Sequence, residues 1–390
     1  MLLAALFCLL ALPPFAAAKG DQRDPHQDVR EIEAPMAVVP GLKHLLAFVK
    51  NGREPVFDKG LAAGVIDFVT APKKEEKIYS IPNGEEGPSA YYELQVDKSL
   101  ACILEYAYNP EVPSILVSPS STRLSYWKTI QGRKQPLPKL WQQLPATEEP
   151  YIIHGVETIE NTPDLHTGAY YRYDLDRTLI LLQYKGHNVL LSLSGQNEAS
   201  EVGRKGAVVG PDDQWNYLYS EKKGLNKFGM GWVDSYMYSS YSVIVYYEIR
   251  EPTPSVKVGI FKWLRAGWKN INMVKTHHIH NGLIRFSDTY KEILENSSLP
   301  DPDDLAAFWS RVEKVEPGRL KKMMRAYFQS LATVYPDDES LSAGWVENIL
   351  NDESSVEGMG RREMQTVLFL EYLKKALGKQ QVINIDQIGL

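Results

Sequence analysis

The chain is poor in what several common protein classes are made of. Two cysteines among 390 residues, Cys8 and Cys102, exclude a disulfide-stapled scaffold. Basic residues are not in excess: 43 Lys and Arg stand against 49 Asp and Glu, a net charge of −6, which argues against a dedicated nucleic-acid binder. There is no internal repeat and no low-complexity tract. G-x-S-x-G and H-E-x-x-H are missing, and no motif of a characterised catalytic family is present. No cofactor signature is found, so none is assigned. Beyond residue 12 no apolar run approaches the about 20 residues needed to span a bilayer.

What is present suffices for a folded protein. Hydrophobic residues make up 44 % and charged residues 24 %, which supports a real core. The length allows two or three domains or one large one.

The N-terminus carries the most specific pattern. Leu2 to Leu12 is uninterrupted and apolar, Pro13 and Pro14 break it, and Ala16-Ala17-Ala18 follows. A short apolar run before small residues is the pattern of a secretory signal peptide, although no Lys or Arg precedes it here. The expectation is cleavage after Ala18, with a retained anchor as the alternative. Cys102 would then be the one cysteine left, in a periplasmic or extracellular protein without a transmembrane span.

The pattern along the chain predicts an α+β protein. After the signal at 1–18, residues 19–40 read as a flexible lead and 41–90 as a mixed α/β segment. Residues 91–255 read as a β-rich, mainly antiparallel and Tyr-rich region, and 256–390 as a mostly helical one. Leu42, Leu45, Leu46 and Val49 have helical spacing, ended by Asn51-Gly52. Val65 to Val69 and Leu100 to Tyr108 read as strands, and Ser114 to Ser118 as the start of another. Thr178–Tyr184 and Val189–Ser194 flank Lys185-Gly186-His187-Asn188, the clearest hairpin. Leu179 to Leu182, apolar on both faces, reads as an interior strand, and Ser242 to Ile249 as another. Ile260, Leu264, Trp268, Ile271 and Val274 share a helical face opposite Lys262, Arg265 and Lys269, which predicts a basic amphipathic helix. Helices are also expected over 305–315, 319–334, 342–350 and 363–377, with breaks at Pro317-Gly318 and Pro336 and a C-cap at Gly378.

Chemistry-bearing patterns are few. Trp215, Tyr217, Tyr219, Phe228, Trp232, Tyr236, Tyr238, Tyr241, Tyr246 and Tyr247 crowd into residues 215–247, against a chain average of 11 % aromatics. Rings with polar tips suit a wet binding groove and are also ordinary strand residues. The candidate ligand-binding set is Trp215, Tyr217, Tyr219, Trp232, Asp234, Tyr236 and Tyr238, with Asp212 and Asp213 nearby. Gly203-Arg204-Lys205-Gly206 to Gly210 resembles a phosphate cradle only loosely and reads better as a loop between strands. His277, His278 and His280 read as the C-terminal turn of a helix stopped by Asn281-Gly282, without a metal; His154, His166 and Asp164 form a looser set. Cys102 reads as a small core residue. Glu157, Glu160, Asp174, Asp176, Asp234 and Glu248 are acids that paired-carboxylate glycan hydrolysis would draw upon.

Three functional expectations follow. The leading one is an exported, non-enzymatic binding protein of the cell envelope, holding a small molecule or glycan on the aromatics of 215–241. Replacing Trp215 and Trp232 with Ala would then abolish binding and spare the fold. The second is a secreted glycan hydrolase. The third is a module whose C-terminal helices dock an envelope protein partner.

Overall fold

The structure, a computed structural model, describes residues 31–51, 56–73, 78–81, 86–165, 167–225, 233–342, 344–351, 356–387 and 389. The signal pattern and the first part of the lead fall outside them. The elements begin with β1 (Glu31–Glu33), α1 (Val39–Asn51), α2 (Lys59–Thr70), β2 (Ile78–Ser80), β3 (Ser89–Val96) and α3 (Leu100–Ala107). Then come β4 (Thr122–Ile130), β5 (Tyr151–Asn161), β6 (Ala169–Tyr170), β7 (Arg172–Tyr184), β8 (His187–Gly195), β9 (Arg204–Val208) and β10 (Tyr217–Lys223). The strands close with β11 (Ser235–Ile249), β12 (Ser255–Trp268) and β13 (Ile271–Asn272). The helices α4 (Thr276–Glu295), α5 (Pro302–Glu313), α6 (Pro317–Val334), α7 (Gly344–Asn351) and α8 (Arg361–Ala376) follow. The architecture is α+β.

One large sheet organises the molecule, in the order β1-β2-β3-β12-β11-β8-β7-β5-β4, with β13 added to β12. Its pairings are antiparallel except β1 with β2. A second sheet runs β10-β9-β6. Side chains alternate across a strand, so a central strand buried on both faces is apolar throughout. In β7, Leu179 and Leu181 enter one core while Ile180 and Leu182 enter another. Val243 and Val245 of β11 join the second core, with α1 and α2, and Ile244 and Tyr246 pack on the first, with α3 to α8. The apolar runs read as interior strands are interior for this reason.

The β7–β8 hairpin closes on Lys185 and Gly186, at φ +50 and +79, the two-residue turn that positive φ at both positions permits. Lys269 and Asn270, at φ +48 and +62, make the same turn between β12 and β13. The segment expected to be a basic amphipathic helix is therefore a hairpin. A strand feeding two cores carries apolar residues on both faces, and Ile260, Leu264 and Trp268 matched a helical period by coincidence. Gly267 marks the close approach of the two strands, because a Cβ there would lie 2.0 Å from the Ile271 carbonyl oxygen. Strand structure thus continues to Asn272, past the expected change at 255–256.

Two expected strands are helices instead. In α2 the Asp58 carboxylate accepts from Leu61 N at 3.0 Å, and Ala62, Val65, Ile66 and Val69 are buried at helical spacing. In α3 the Ser99 hydroxyl accepts from Cys102 N at 3.2 Å, and Leu100, Ile103 and Leu104 are buried. Nearly every residue of α3 is apolar, so alternation and helical period fitted equally, and the cap at Ser99 decides. Ser114–Val117 is a short 3₁₀ turn. The helices at α1 and at α5 to α8 stand close to their expected ranges. Pro317 occupies the first turn of α6, and Gly378, at φ +74, follows α8. Part of the expected flexible lead is ordered: β1 pairs with β2 and α1 starts at Val39.

Candidate functional site

The aromatic set divides into two places. Trp215 is 2 % exposed, has left-handed backbone at φ +54, and lies under the Lys379 ammonium at 4.6 Å. Tyr217 is buried; its hydroxyl donates to Asp212 Oδ1 at 3.1 Å and accepts from Arg285 Nη2 at 3.1 Å. Burial drives its phenol pKa upward, against the pull of Arg285. The Tyr219 ring lies 3.8 Å beneath the Arg123 guanidinium and edge-on to Tyr170. These three rings share a crevice with Arg123 and Glu363 whose volume, about 30 Å³, is that of a water molecule. Asp212 is held by Arg285 Nε at 2.6 Å.

The other group stands at the start of β11. Tyr236 and Tyr238 are partly buried and stacked with ring centroids 6.2 Å apart, and Asn270 N donates to the Tyr238 hydroxyl at 2.8 Å. Asp234 is exposed beside them. Trp232, Phe228 and His166 lie outside the described residues.

The other sequence candidates resolve into structural roles. Gly203–Gly210 contains β9, a strand rather than a loop, and a Cβ on Gly206 would strike Pro163 Cγ at 2.3 Å. His277, His278 and His280 open α4 instead of ending a helix, and Asn281-Gly282 lies within it. His280 is buried, edge-on to Tyr92. Cys102 is partly buried on α3, and burial raises its thiol pKa, an unreactive setting. Glu160 is buried between Arg123 and Arg172. Asp174 pairs with Lys128 at 2.7 Å, and Glu248 Oε2 accepts from Asn188 Nδ2 at 2.6 Å.

A roomier site lies elsewhere. A cavity of about 400 Å³ sits on the α4 side of the large sheet, within the usual range for small-molecule pockets. Its lining comes from β4 and β5 (Tyr126, Trp127, Glu157), β7 (Arg177), β11 (Ile244, Tyr246), the segment after α3 (Tyr108, Asn109) and α4 (Phe286, Tyr290). Tyr126, 39 % exposed, brings the site to the surface. The Arg177 guanidinium pairs with the Glu157 carboxylate, which also accepts from the Ser125 hydroxyl, and Arg177 Nη1 donates to Ser192 Oγ at 3.1 Å. Burial, then the charge of Tyr108, holds the Tyr246 and Tyr290 hydroxyls well above the usual phenol pKa. Both are therefore neutral donors at any working pH. Rings, the Arg177 and Arg362 guanidiniums and a few hydroxyls converging on an apolar space can orient a flat ligand with polar ends.

Sequence reasoning missed this site because its residues are spread from 107 to 362. Only Tyr246 comes from the aromatic concentration. Alternation along β5 and β7 could have raised a signal, since Glu157 and Arg177 stand on strand faces that are apolar apart from Asn161 and Gln183 at their ends. Among the described residues, no helix is long and apolar enough to cross a membrane. No protein-family model matches the chain, and no curated protein matches it.

Proposed function

We propose that the chain is a non-enzymatic binding protein that takes a small, flat, largely apolar ligand into the cavity between the large sheet and α4. The observation carrying this reading is the cavity itself, whose volume of about 400 Å³ and lining of Trp127, Phe286, Tyr246, Tyr290 and Arg177 suit such a ligand. Glu157 is the one carboxylate lining it among the described residues, and Arg177 neutralises it. Glycosidic hydrolysis by paired carboxylates needs two, so binding is favoured over that reading. The helices α5 to α8 present none of the large exposed hydrophobics among the described residues, so docking through them has less support. The binding role belongs at the cell envelope if the N-terminal pattern is cleaved as expected.

The test is native mass spectrometry of the full chain purified from its own source. An added mass of a few hundred daltons, lost on denaturation and absent from Trp127→Ala, is the expected result. An added mass that Trp127→Ala retains would place the ligand elsewhere.

A further inference from the structure

The first turn of α8 carries three charged residues in a row, Arg361, Arg362 and Glu363, and two of them are committed to the fold. Arg361 Nη2 donates to the carbonyls of Glu313 at 2.7 Å and Val315 at 3.0 Å. The Glu363 carboxylate meets Arg123 of β4 at 3.1 Å and accepts from Gly360 N at 2.9 Å. These contacts pin the turn between the end of α5 and β4, the edge strand of the large sheet.

Arg362 is employed differently. Its guanidinium rests over the Trp309 ring, 5.5 Å from the centroid, and the residue is exposed. Among the described residues no carboxylate lies within ion-pair distance of it and no oxygen accepts from it. Its own helix does not favour a cation there, because the N–H groups of a first turn already make that end positive. Yet Arg362 lines the cavity of about 400 Å³. The charged side chains of that lining are Glu157, Arg177 and Arg362; the first two neutralise each other, and one positive charge is left over where the site meets solvent. Trp127, Ile159, Ile244 and Phe286 line the same space with apolar surface. One planar guanidinium beside an apolar space matches one carboxylate, whose two oxygens accept from its parallel N–H groups.

We propose that the cavity's ligand is a carboxylic acid bound as its anion, with the carboxylate paired to Arg362 at the mouth and an aromatic or apolar body inside. This rests on the cavity reading and names the ligand's chemical class. The exposed head keeps part of its hydration while paired, so no charge of the ligand is fully buried.

Calorimetry on the full chain at pH 7, with indole-3-acetate and its neutral amide, tests it. The acid should bind roughly fivefold more tightly at low salt, the scale of one partly exposed charge-assisted pair. The preference should shrink as sodium chloride rises. Arg362→Gln should erase the preference without weakening the amide, and Arg362→Lys, which keeps the charge but not the planar fork, should retain part of it. Trp127→Ala should weaken both compounds alike. Equal binding of acid and amide overturns the anion site and leaves the cavity reading standing. A preference that survives in Arg362→Gln overturns it too, since the carboxylate is then held elsewhere. Undiminished binding of both compounds by Trp127→Ala overturns the cavity reading, and binding of neither compound to the unaltered chain at millimolar concentration overturns both.

Discussion

Replacing Lys262 with Met is expected to stabilise the protein in the absence of ligand. The ammonium is partly buried on β12 beside Arg177, with the Ser240 hydroxyl as its hydrogen-bond partner, and its pKa falls from 10.5 to about 8. At about 1.4 kcal/mol per pKa unit, holding that charge in the native state costs up to ~3 kcal/mol at pH 7. Methionine has similar length and no charge, and leaves only Ser240 Oγ without its donor, a loss of about 1 kcal/mol. The net expectation is a gain of about 2 kcal/mol, or roughly 2–3 °C in melting temperature for a chain of this length. The pH dependence fixes the sign. Because the native pKa is lowered, the unfolded chain binds the extra proton between about 8 and 10.5, so wild-type stability rises with pH across that window. The advantage of Lys262→Met should therefore be full below pH 8 and vanish towards pH 10.5. Paired thermal and urea unfolding curves at pH 7 and pH 10 make the comparison; Tyr173, whose hydroxyl reaches Ser240, stays neutral across it because burial lifts it to about 12. A variant less stable than wild type at pH 7, or one whose difference ignores pH, would refute the reasoning.

Three further outcomes follow from packing. Trp215→Ala removes a side chain 2 % exposed and should cost about 3–5 kcal/mol in chemical denaturation, so it probes the core rather than ligand binding; a cost below 1 kcal/mol would contradict its placement. Lys374→Met strands the buried Glu371 carboxylate, which Lys374 Nζ meets at 2.5 Å and which also accepts from Val382 N, and should cost about 3–5 kcal/mol; hydrogen exchange should show the segment after α8 opening first. Gly267→Ala forces a Cβ to within 2.0 Å of the Ile271 carbonyl and should destabilise the β12–β13 turn, whereas Gly186→Ala, with open space around it, should suffer only from its positive φ; equal melting shifts for the two would refute the contact argument.

Much of the fold was legible where one signal dominated. The β7–β8 hairpin had a glycine turn between apolar runs, and α6 had Pro317 at its start and Pro336 beyond its end. Legibility failed where apolar residues covered both faces of a segment. Leu100 to Ala107 and Ser255 to Trp268 each satisfy both the helical and the extended period. One became a helix because of the serine cap just before it, the other a strand because its two faces feed two cores assembled from distant parts of the chain. The site was hidden for a related reason. Glu157 and Arg177 are 20 positions apart and meet only through the pairing of β5 with β7. Lys262, outside the cavity lining, had a visible sequence role as one charge of an expected amphipathic helix, and the strand turns it inward. The aromatic concentration was real, but sheet and core absorb Trp215, Tyr217 and Tyr246 into packed positions.

The account stands most directly on the cavity beside Trp127. In a proton–nitrogen correlation spectrum each tryptophan gives one indole N–H signal, and the signal absent from Trp127→Phe identifies that residue. Titration with indole-3-acetate should move this signal in a saturable way and leave the signal of the buried Trp215 in place. A Trp127 signal that stays fixed while others move, or a spectrum unchanged at millimolar ligand, would contradict the proposed binding site.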